Sequence, residues 1–259
     1  MSPPVRFVLV RPRNPLNVGA AARAVANFGF SELCAVEPHA PVWKEATSAV
    51  GAEALLRRAP ALTLDAALEG AHLILGTHDG RRRGGPVVVE LPALREWLAA
   101  RSPAGGRLAV LFGCEKSGLS NVELDRCHAA VRIPTSAGCP SMNLAQAVAV
   151  VAYELAARPA PPPAEDLPAM THEQREAFVA QALGLCRALG YRAGDPDEVL
   201  ERALRAVLLR RPLSRDEAAL LQALLRRLPG QSARIGAGGN VAQRPGRRRP
   251  GVHPDPAQG

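Results

Sequence analysis

Several segments and motifs that mark other protein classes are missing from this chain of 259 residues. It has no run of about 18 apolar residues, so no membrane span is predicted. The opening MSPPVRFVLVRP has a short apolar part that charge follows too quickly for a signal peptide. We therefore expect a cytoplasmic protein.

Cysteine and histidine are few and scattered. The five cysteines are odd in number and form no C-x-x-C pair, and the six histidines show no H-x-x-x-H spacing. Neither a disulfide framework nor a zinc site is indicated. We expect free thiols that are mostly buried. The cysteines are Cys34, Cys114, Cys127, Cys139 and Cys186.

The common phosphate-binding glycine motifs are also missing. Neither G-x-G-x-x-G nor G-x-x-x-x-G-K-[ST] occurs, and no acidic residue stands at the distance expected for a ribose-binding acid. These absences disfavour a nucleotide-cofactor oxidoreductase on a Rossmann-like sheet. No internal repeat is evident.

Positive charge is in excess and unevenly placed. The net charge is +8, with 17 basic against 13 acidic residues in 1–158, equal numbers in 159–229, and 5 against 1 in 230–259. A basic surface suggests a polyanionic partner such as nucleic acid.

The first 158 residues alternate short apolar runs with helical patterns. Continuous apolar strands separated by helices predict an α/β fold, a mainly parallel sheet with helices on both faces. Ser120 and Glu123 form a capping box at the start of the expected helix 120–127. The expected strands are 6–10, 32–37, 71–77, 107–113 and 129–133, and the expected helices are 18–28, 46–58, 63–69, 91–100 and 120–127.

The remainder of the chain divides into three parts. Residues 159–170 form a Pro-rich linker, 171–229 a small helical module, and 230–259 a basic tail whose composition predicts disorder. The helix starts are marked by Thr171 with Gln174, by Asp195 before Pro196, and by Ser214 with Glu217.

Three loops that follow predicted strands carry polar residues. Ligands of open parallel sheets bind beyond the carboxyl ends of the strands, so these loops are the candidate site. The first has N-x-G-x-x-x-R, from Asn17 to Arg23; the alternative is a capped helix with a solvated arginine. The second, F-G-x-E-x-x-G-L, places Glu115 among glycines, where the alternative is a carboxylate capping a neighbouring loop.

The third loop, IPTSAGCPSMNLAQ, leads into an apolar helix through Ser141, Met142 and Asn143. One interpretation is that Ser141 or Asn143 is simply the N-cap. The other is that a helix N-terminus with free N–H groups and small polar side chains binds a ligand.

Taken together, the three motifs resemble the SpoU-type ribose 2'-O-methyltransferases of the SPOUT superfamily, over residues 5 to about 157. The resemblance implies a C-terminal trefoil knot in the α/β domain, a homodimer, and S-adenosylmethionine bound in the knot near the dimer interface. The helical module is similar to the C-terminal extension of TrmJ-type tRNA methyltransferases, which act on the cytidine or uridine that opens the anticodon loop. The alternatives are a ribosomal RNA substrate or an inactive RNA-binding protein of this fold.

The resemblance also implies roles for individual residues. The cofactor-binding residues would be Thr77, His78, Asp79, Gly113, Ile133, Pro140, Ser141, Met142 and Leu144. The catalytic residues would be Arg23, Glu115, Ser141 and Asn143, and RNA would contact Asn17, Arg23, Arg81, Arg82 and Arg83. After Thr77 this family commonly has a small residue and then arginine, whereas this chain reads HDGRRRGG.

Methyl transfer from a sulfonium needs no metal, only an aligned 2'-hydroxyl and the management of one proton. Guanidinium stays protonated in proteins, so we expect Arg23 to clamp the target phosphate and stabilise charge developing on the 2'-oxygen. Glu115, Ser141 and Asn143 would position it. The helical module either selects RNA, in which case a chain ending near Arg158 folds alone, or packs on the first domain and is needed for folding.

Overall fold

The computed structural model describes residues 4–39, 43–78, 85–103, 105–156, 170–210, 213 and 215–235. In this part of the chain seven strands form one sheet in the order β3-β2-β1-β6-β4-β7-β5, and all of its pairings are parallel. The strands are β1 (Val5–Val10), β2 (Glu32–Val36), β3 (Ala61–Leu62), β4 (Ala71–Thr77), β5 (Val87–Glu90), β6 (Arg107–Phe112) and β7 (Ala129–Arg132).

Helices cover both faces of this sheet, so the predicted α/β fold is confirmed. One face packs under α1 and α6, and the other under α3 and α5, because the central strands are apolar on both sides. The trefoil knot stays a prediction. The helices are α1 (Pro15–Asn27), α2 (Glu53–Arg58), α3 (Leu64–Leu68), α4 (Leu94–Ala99), α5 (Asn121–Leu124), α6 (Leu144–Ala156), α7 (His172–Ala188), α8 (Asp197–Arg210) and α9 (Arg215–Ile235).

Most strand and helix positions match the prediction within a few residues, and the differences have local causes. The edge strands β3 and β5 were not predicted. β3 is only two residues long, and β5 is a β-branched run that the preceding glycines obscure. The expected helix over 46–58 is helical only from Glu53, because Gly51 has φ of +80° and interrupts the segment.

The strand order brings distant loops together. β6 lies between β1 and β4, and β7 lies between β4 and β5. The carboxyl ends of four strands that are far apart in the sequence therefore stand side by side. The loops with the three motifs follow β1, β6 and β7 and meet at this edge of the sheet.

The helical module packs on the first domain. α7 contacts β4 and α3, while α8 and α9 pack on α7. The expected capping box of Thr171 and Gln174 is present at the start of α7, and Arg175 in its first turn is buried. This packing supports the second of the two expected roles for the module, a part in folding.

The helical module was predicted to end at residue 229, with disorder from 230 onward, but α9 continues through Pro229 to Ile235. A proline removes one backbone hydrogen bond and weakens a helix, yet the following residues Ser232 to Arg234 tolerate helical geometry. The linker 159–169, Ser214 and residues after 235 lie outside the described residues.

Among the described helices none is long and apolar enough to cross a membrane. All five cysteines are free; Cys34, Cys114 and Cys127 are buried, whereas Cys139 is exposed. Burial raises the pKa of the Cys34 thiol to about 11, so this thiol is inert at neutral pH.

Candidate functional site

A cavity of about 370 Å³ opens at the carboxyl ends of β4, β6 and β7. Its volume lies in the range of small-molecule sites. Eight of the nine residues expected to bind the cofactor line it, and Asp79 lies outside the described residues. The eight are Thr77, His78, Gly113, Ile133, Pro140, Ser141, Met142 and Leu144.

One wall of the cavity is the tight loop from Gly113 to Gly118, which leaves β6. A Cβ at Gly113 would lie 2.1 Å from the carbonyl carbon of Gly118 and 2.3 Å from the N of Leu119, so no larger residue fits. Gly118 has φ of +66° and donates its N–H to the Cys114 carbonyl at 2.7 Å. Residues 114–117 of this turn line the cavity.

Glu115 projects from this loop to the N-terminus of α1. Its carboxylate accepts hydrogen bonds from the backbone N–H groups of Arg13 (3.0 Å) and Asn14 (3.1 Å) and from Asn17 Nδ2 (3.0 Å). Partial burial acts to raise the pKa of Glu115, but these hydrogen bonds outweigh it and the pKa lies below its ordinary value. The residue is therefore an anion that fixes the first motif loop against the second.

Asn143 joins the third motif loop to the same network. Its Nδ2 donates to Asn17 Oδ1 at 3.0 Å, and its Oδ1 accepts from the N–H groups of Ala145 and Gln146 in the first turn of α6. The first interpretation of this helix start is therefore confirmed, and the ligand-binding interpretation stays a prediction. Asn143 is the N-cap, and it is also one end of a polar chain, Asn143–Asn17–Glu115, that connects all three motifs.

Other hydrogen bonds hold the cavity walls. Thr77 Oγ1 donates to the Leu111 carbonyl at 3.1 Å, and the His78 N–H donates to the Val131 carbonyl at 3.0 Å. Thr135 Oγ1 donates to the Pro140 carbonyl at 3.0 Å and closes the loop before Ser141. These hydrogen bonds fix the positions of the loops that line the cavity.

Arg23 does not reach this cavity from within the same chain. It is exposed on α1, on a stripe with Leu16, Ala20 and Asn27, and it is not among the residues that line the cavity. Within one chain, Arg23 thus lies apart from the cavity that Glu115 and Ser141 line. Arg81, Arg82 and Arg83 lie outside the described residues.

Sequence reasoning also missed residues of the site. Lys116 and Ser117 occupy unspecified positions of the second motif, yet they line the cavity. Arg11 pairs with Glu123 across 112 residues of sequence, and nothing in the local pattern around either residue indicates that pair. The only sequence signal for this pair is that a polar residue, Arg11, directly follows the buried strand β1.

Next to Arg23, α1 and α6 expose an apolar surface. Leu16 is 55 % exposed and Tyr153 is 58 % exposed, and the Tyr153 ring stands edge-on to Phe28 at 5.9 Å. Val150 is half-buried on the same helix, whose residues are apolar on nearly all sides. A helix of that kind is usually covered on both sides.

A parallel sheet with a ligand-sized cavity beyond its strand ends, and with a hydrogen-bonded carboxylate between two glycines beside it, defines an α/β enzyme domain that binds a small molecule. The chain belongs to the SpoU rRNA Methylase family, which residues 4–153 match. The resemblance seen in the three loops is confirmed. The chain is an RNA methyltransferase, and its methyl donor is S-adenosylmethionine.

One relative and one solved structure extend the similarity beyond the first domain, whereas a second relative matches about the first domain alone. The chain is 33 % identical over 236 residues to the tRNA (cytidine/uridine/adenosine-2'-O-)-methyltransferase TrmJ of Pseudomonas aeruginosa, covering 85 % of this chain and 92 % of that one. It is 37 % identical to the tRNA (cytidine-2'-O-)-methyltransferase TrmJ of Methanocaldococcus jannaschii, over 58 % of this chain and 66 % of the relative. The solved structure of TrmJ from Z. mobilis ZM4 matches with a TM-score of 0.74 at 26 % identity, covering 88 % of this chain and all of that one.

Proposed function

We propose that this methyltransferase modifies the 2'-hydroxyl of a ribose in tRNA and works as a homodimer. The proposal is carried by the position of the Gly113–Gly118 loop. This loop forms a wall of the cavity, and it also holds Glu115 in the polar chain to Asn17 and Asn143. Relatives named as tRNA 2'-O-methyltransferases, one of them similar over 85 % of this chain, support the choice of substrate.

The residues present fit S-adenosylmethionine. Ile133, Leu144 and Ala147 give an apolar side suited to an adenine ring, and the close packing of Gly113 on the Gly118 backbone holds the turn that forms the opposite wall. Thr77, Ser141 and the backbone of residues 114–117 provide polar groups for the ribose and amino-acid parts. Bound there, the cofactor supplies an electrophilic methyl group, and no metal is needed.

A second copy of the chain would cover the apolar surface of Leu16 and Tyr153 and would bring Arg23 to the partner's site. Arg23 lies on the same exposed stripe of α1 as Leu16, so covering one side chain brings a second molecule beside the other. The separation of Arg23 from the cavity within one chain is then expected, because the site is completed across the dimer.

In such a site Arg23 holds the phosphate of the target nucleotide and stabilises the charge that develops on the 2'-oxygen. Glu115 cannot act as a strong base while three donors bind its carboxylate, so its part is to keep the loops of the three motifs in register. Asn143 and Ser141 then position the nucleotide at the mouth of the cavity.

The first pyrimidine of the anticodon loop is the proposed position, since relatives are named as tRNA cytidine and uridine 2'-O-methyltransferases and the module is similar to their C-terminal part. The competing substrate is ribosomal RNA, which the family description names. The net charge of +8 suits either RNA.

The test is to incubate the protein with methyl-labelled S-adenosylmethionine and either total tRNA or ribosomal RNA, and then to map ribose methylation. Label in tRNA at one anticodon-loop position is expected. Label confined to ribosomal RNA would select the competing substrate, and binding of RNA without methylation of either pool would identify an inactive relative.

Arg23→Ala tests the proposed catalytic residue. We expect the rate of methyl transfer to fall at least 100-fold with cofactor affinity within a few-fold of wild type, because the lost contact acts mainly in the transition state. Arg58→Ala removes an exposed arginine at the opposite edge of the sheet and is the matched control. A near wild-type rate for Arg23→Ala would refute the assignment. Sedimentation of the wild-type chain as a monomer would refute the dimer.

A further inference from the structure

A second cleft, of about 430 Å³, lies on the other side of the Gly113–Gly118 loop. Cys114 and Ser117 line both this cleft and the cofactor cavity, so a single loop separates the two. The family motifs do not include the other residues of the cleft, which follow β1 and β2. They are Arg11, Arg13, Glu37, Pro38 and His39.

Hydrogen bonds between the segments that follow β1 and β2 fix the walls of the cleft. Arg11 N–H donates to the Val36 carbonyl at 2.8 Å, and His39 N–H donates to the Pro12 carbonyl at 3.0 Å. Arg11 and Glu37 each have φ of 47°, a conformation that non-glycine residues rarely adopt and that the surrounding structure must enforce. The shape of the cleft is therefore set before a ligand arrives.

The two arginines of the cleft have different surroundings. Arg11 donates both Nη atoms to the carboxylate of the buried Glu123, which also accepts the Ser120 N–H, so its charge is already paired. Arg13 is exposed, and its guanidinium makes no hydrogen bond or ion pair with another described residue. Arg13 is the cation of the cleft that remains available to a ligand.

The polar groups of the cleft suit a nucleotide better than an anion alone. Glu37 is exposed in the cleft and would repel an isolated phosphate. A nucleotide, by contrast, offers a phosphate to Arg13 and a base amino group to Glu37, and carboxylates accept from the exocyclic amine of cytosine in this way. The exposed His39 imidazole provides a flat surface on which an unstacked base can lie, and the Pro38 ring adds an apolar contact.

We propose that this cleft binds the RNA nucleotide next to the methylated ribose, with Arg13 on its phosphate and Glu37 on the amino group of its base. The proposal rests on the RNA methyltransferase function, because only one loop, which contains Cys114 and Ser117, separates the cleft from the cavity at which the 2'-hydroxyl is methylated. Glu37 then makes the enzyme selective for a base with an exocyclic amine at that position.

Arg13 is tested by binding. The ligand is the tRNA that the wild-type enzyme methylates. Arg13→Ala weakens affinity for this tRNA about 5- to 10-fold. It also makes the slope of log affinity against log salt shallower by about 0.7 to 0.9, the change expected for one phosphate contact. The matched control, Arg58→Ala, removes an exposed arginine at the amino edge of the sheet. Equal losses in the two variants would overturn the role of Arg13.

Glu37 is tested by specificity. Substrates are made with each neighbour of the modified nucleotide replaced in turn, and methylation by wild type, Glu37→Gln and the control Glu69→Gln is compared. At one neighbouring position wild type favours an amino-bearing base about five-fold or more, and Glu37→Gln abolishes or reverses that preference, since an amide donates as well as accepts.

Failure of the proposed function and failure of the cleft proposal give different results. A wild-type chain that methylates no RNA contradicts the function itself. Methylation by wild type with an unchanged preference in Glu37→Gln overturns the cleft proposal alone. Thermal unfolding and S-adenosylmethionine titration of each variant, both expected to match wild type, show that folding and the first cavity are intact.

Discussion

Arg175→Met tests whether the helical module is an attached unit or a part of the folded core. Arg175 is 6 % exposed, and its guanidinium donates to the carbonyls of Met170 (2.7 Å), His72 (3.1 Å) and Ala71 (3.3 Å). Two of these acceptors begin β4, where the pairing with β6 shifts register between Ala71 and Leu73. Arg175 therefore satisfies carbonyl groups at an irregular start of a central strand.

The expected cost can be worked from these contacts. Hydrogen bonds from a charged donor contribute about 1.5–3 kcal/mol each, and the three share one side chain, so they do not add fully. Burial of the guanidinium has a cost of its own, as the lowering of the pKa of Arg175 to about 10 indicates. Methionine fills much of the volume but leaves three carbonyls unpaired, each at a cost of about 1–3 kcal/mol, and we expect a total loss of about 3–5 kcal/mol because these costs do not add fully.

The assay is thermal unfolding of the full chain, followed by circular dichroism and by loss of S-adenosylmethionine binding. About 2–4 °C are lost per kcal/mol in a chain of this size, so the midpoint should fall by on the order of 10 °C, and both signals should shift together. Arg210→Met in the exposed end of α8 is the matched control and should unfold within about 2 °C of wild type.

Two results would refute this reasoning. In one, Arg175→Met unfolds at the wild-type temperature. In the other, only the helical signal shifts while cofactor binding is lost at the wild-type temperature, which would mean that the module unfolds independently. A soluble chain ending at Ala156 with wild-type stability would lead to the same conclusion.

Four further outcomes are expected. Gly113→Ala should abolish cofactor binding, because its Cβ overlaps the Gly118 backbone. Gly138→Ala in the third motif loop should bind the cofactor normally, because its Cβ meets nothing within 4 Å. Calorimetric titration with S-adenosylmethionine compares the two variants. Glu115→Gln should lower the rate about 10- to 200-fold by setting an amide N–H against the Arg13 N–H, and equal rates would exclude a positioning role. The lowered pKa of Glu115 means that its stabilising effect is complete above the ordinary glutamate pKa of about 4.3 and is lost as pH falls, so Glu115→Gln should flatten that part of the stability curve, as acid titration can show. Excess EDTA should leave methyl transfer unchanged, and restoration by a divalent ion after a loss would contradict a metal-free reaction.

Local features of the chain could be predicted because they depend on neighbouring residues. The capping boxes at Ser120 and Thr171 are present as expected, since a side chain and the N–H three residues later meet in any helix start. The apolar runs of the central strands likewise indicated a parallel sheet covered on both faces. The edge strand β5 was missed, as short edge strands depend on a partner that the sequence pattern does not specify.

The sequence by itself determined which loops carry polar residues, where the capped helices α5 and α7 begin, and which family the chain resembles. Only the tertiary structure decided how these parts meet: Glu115 binds Asn17 across 98 residues, and Arg11 binds Glu123 across 112. The strand order sets those meetings, because β6 lies beside β1 only in the folded sheet. The position of Arg23 outside its own cavity has the same origin, since the direction of an exposed helix face depends on what that helix packs against.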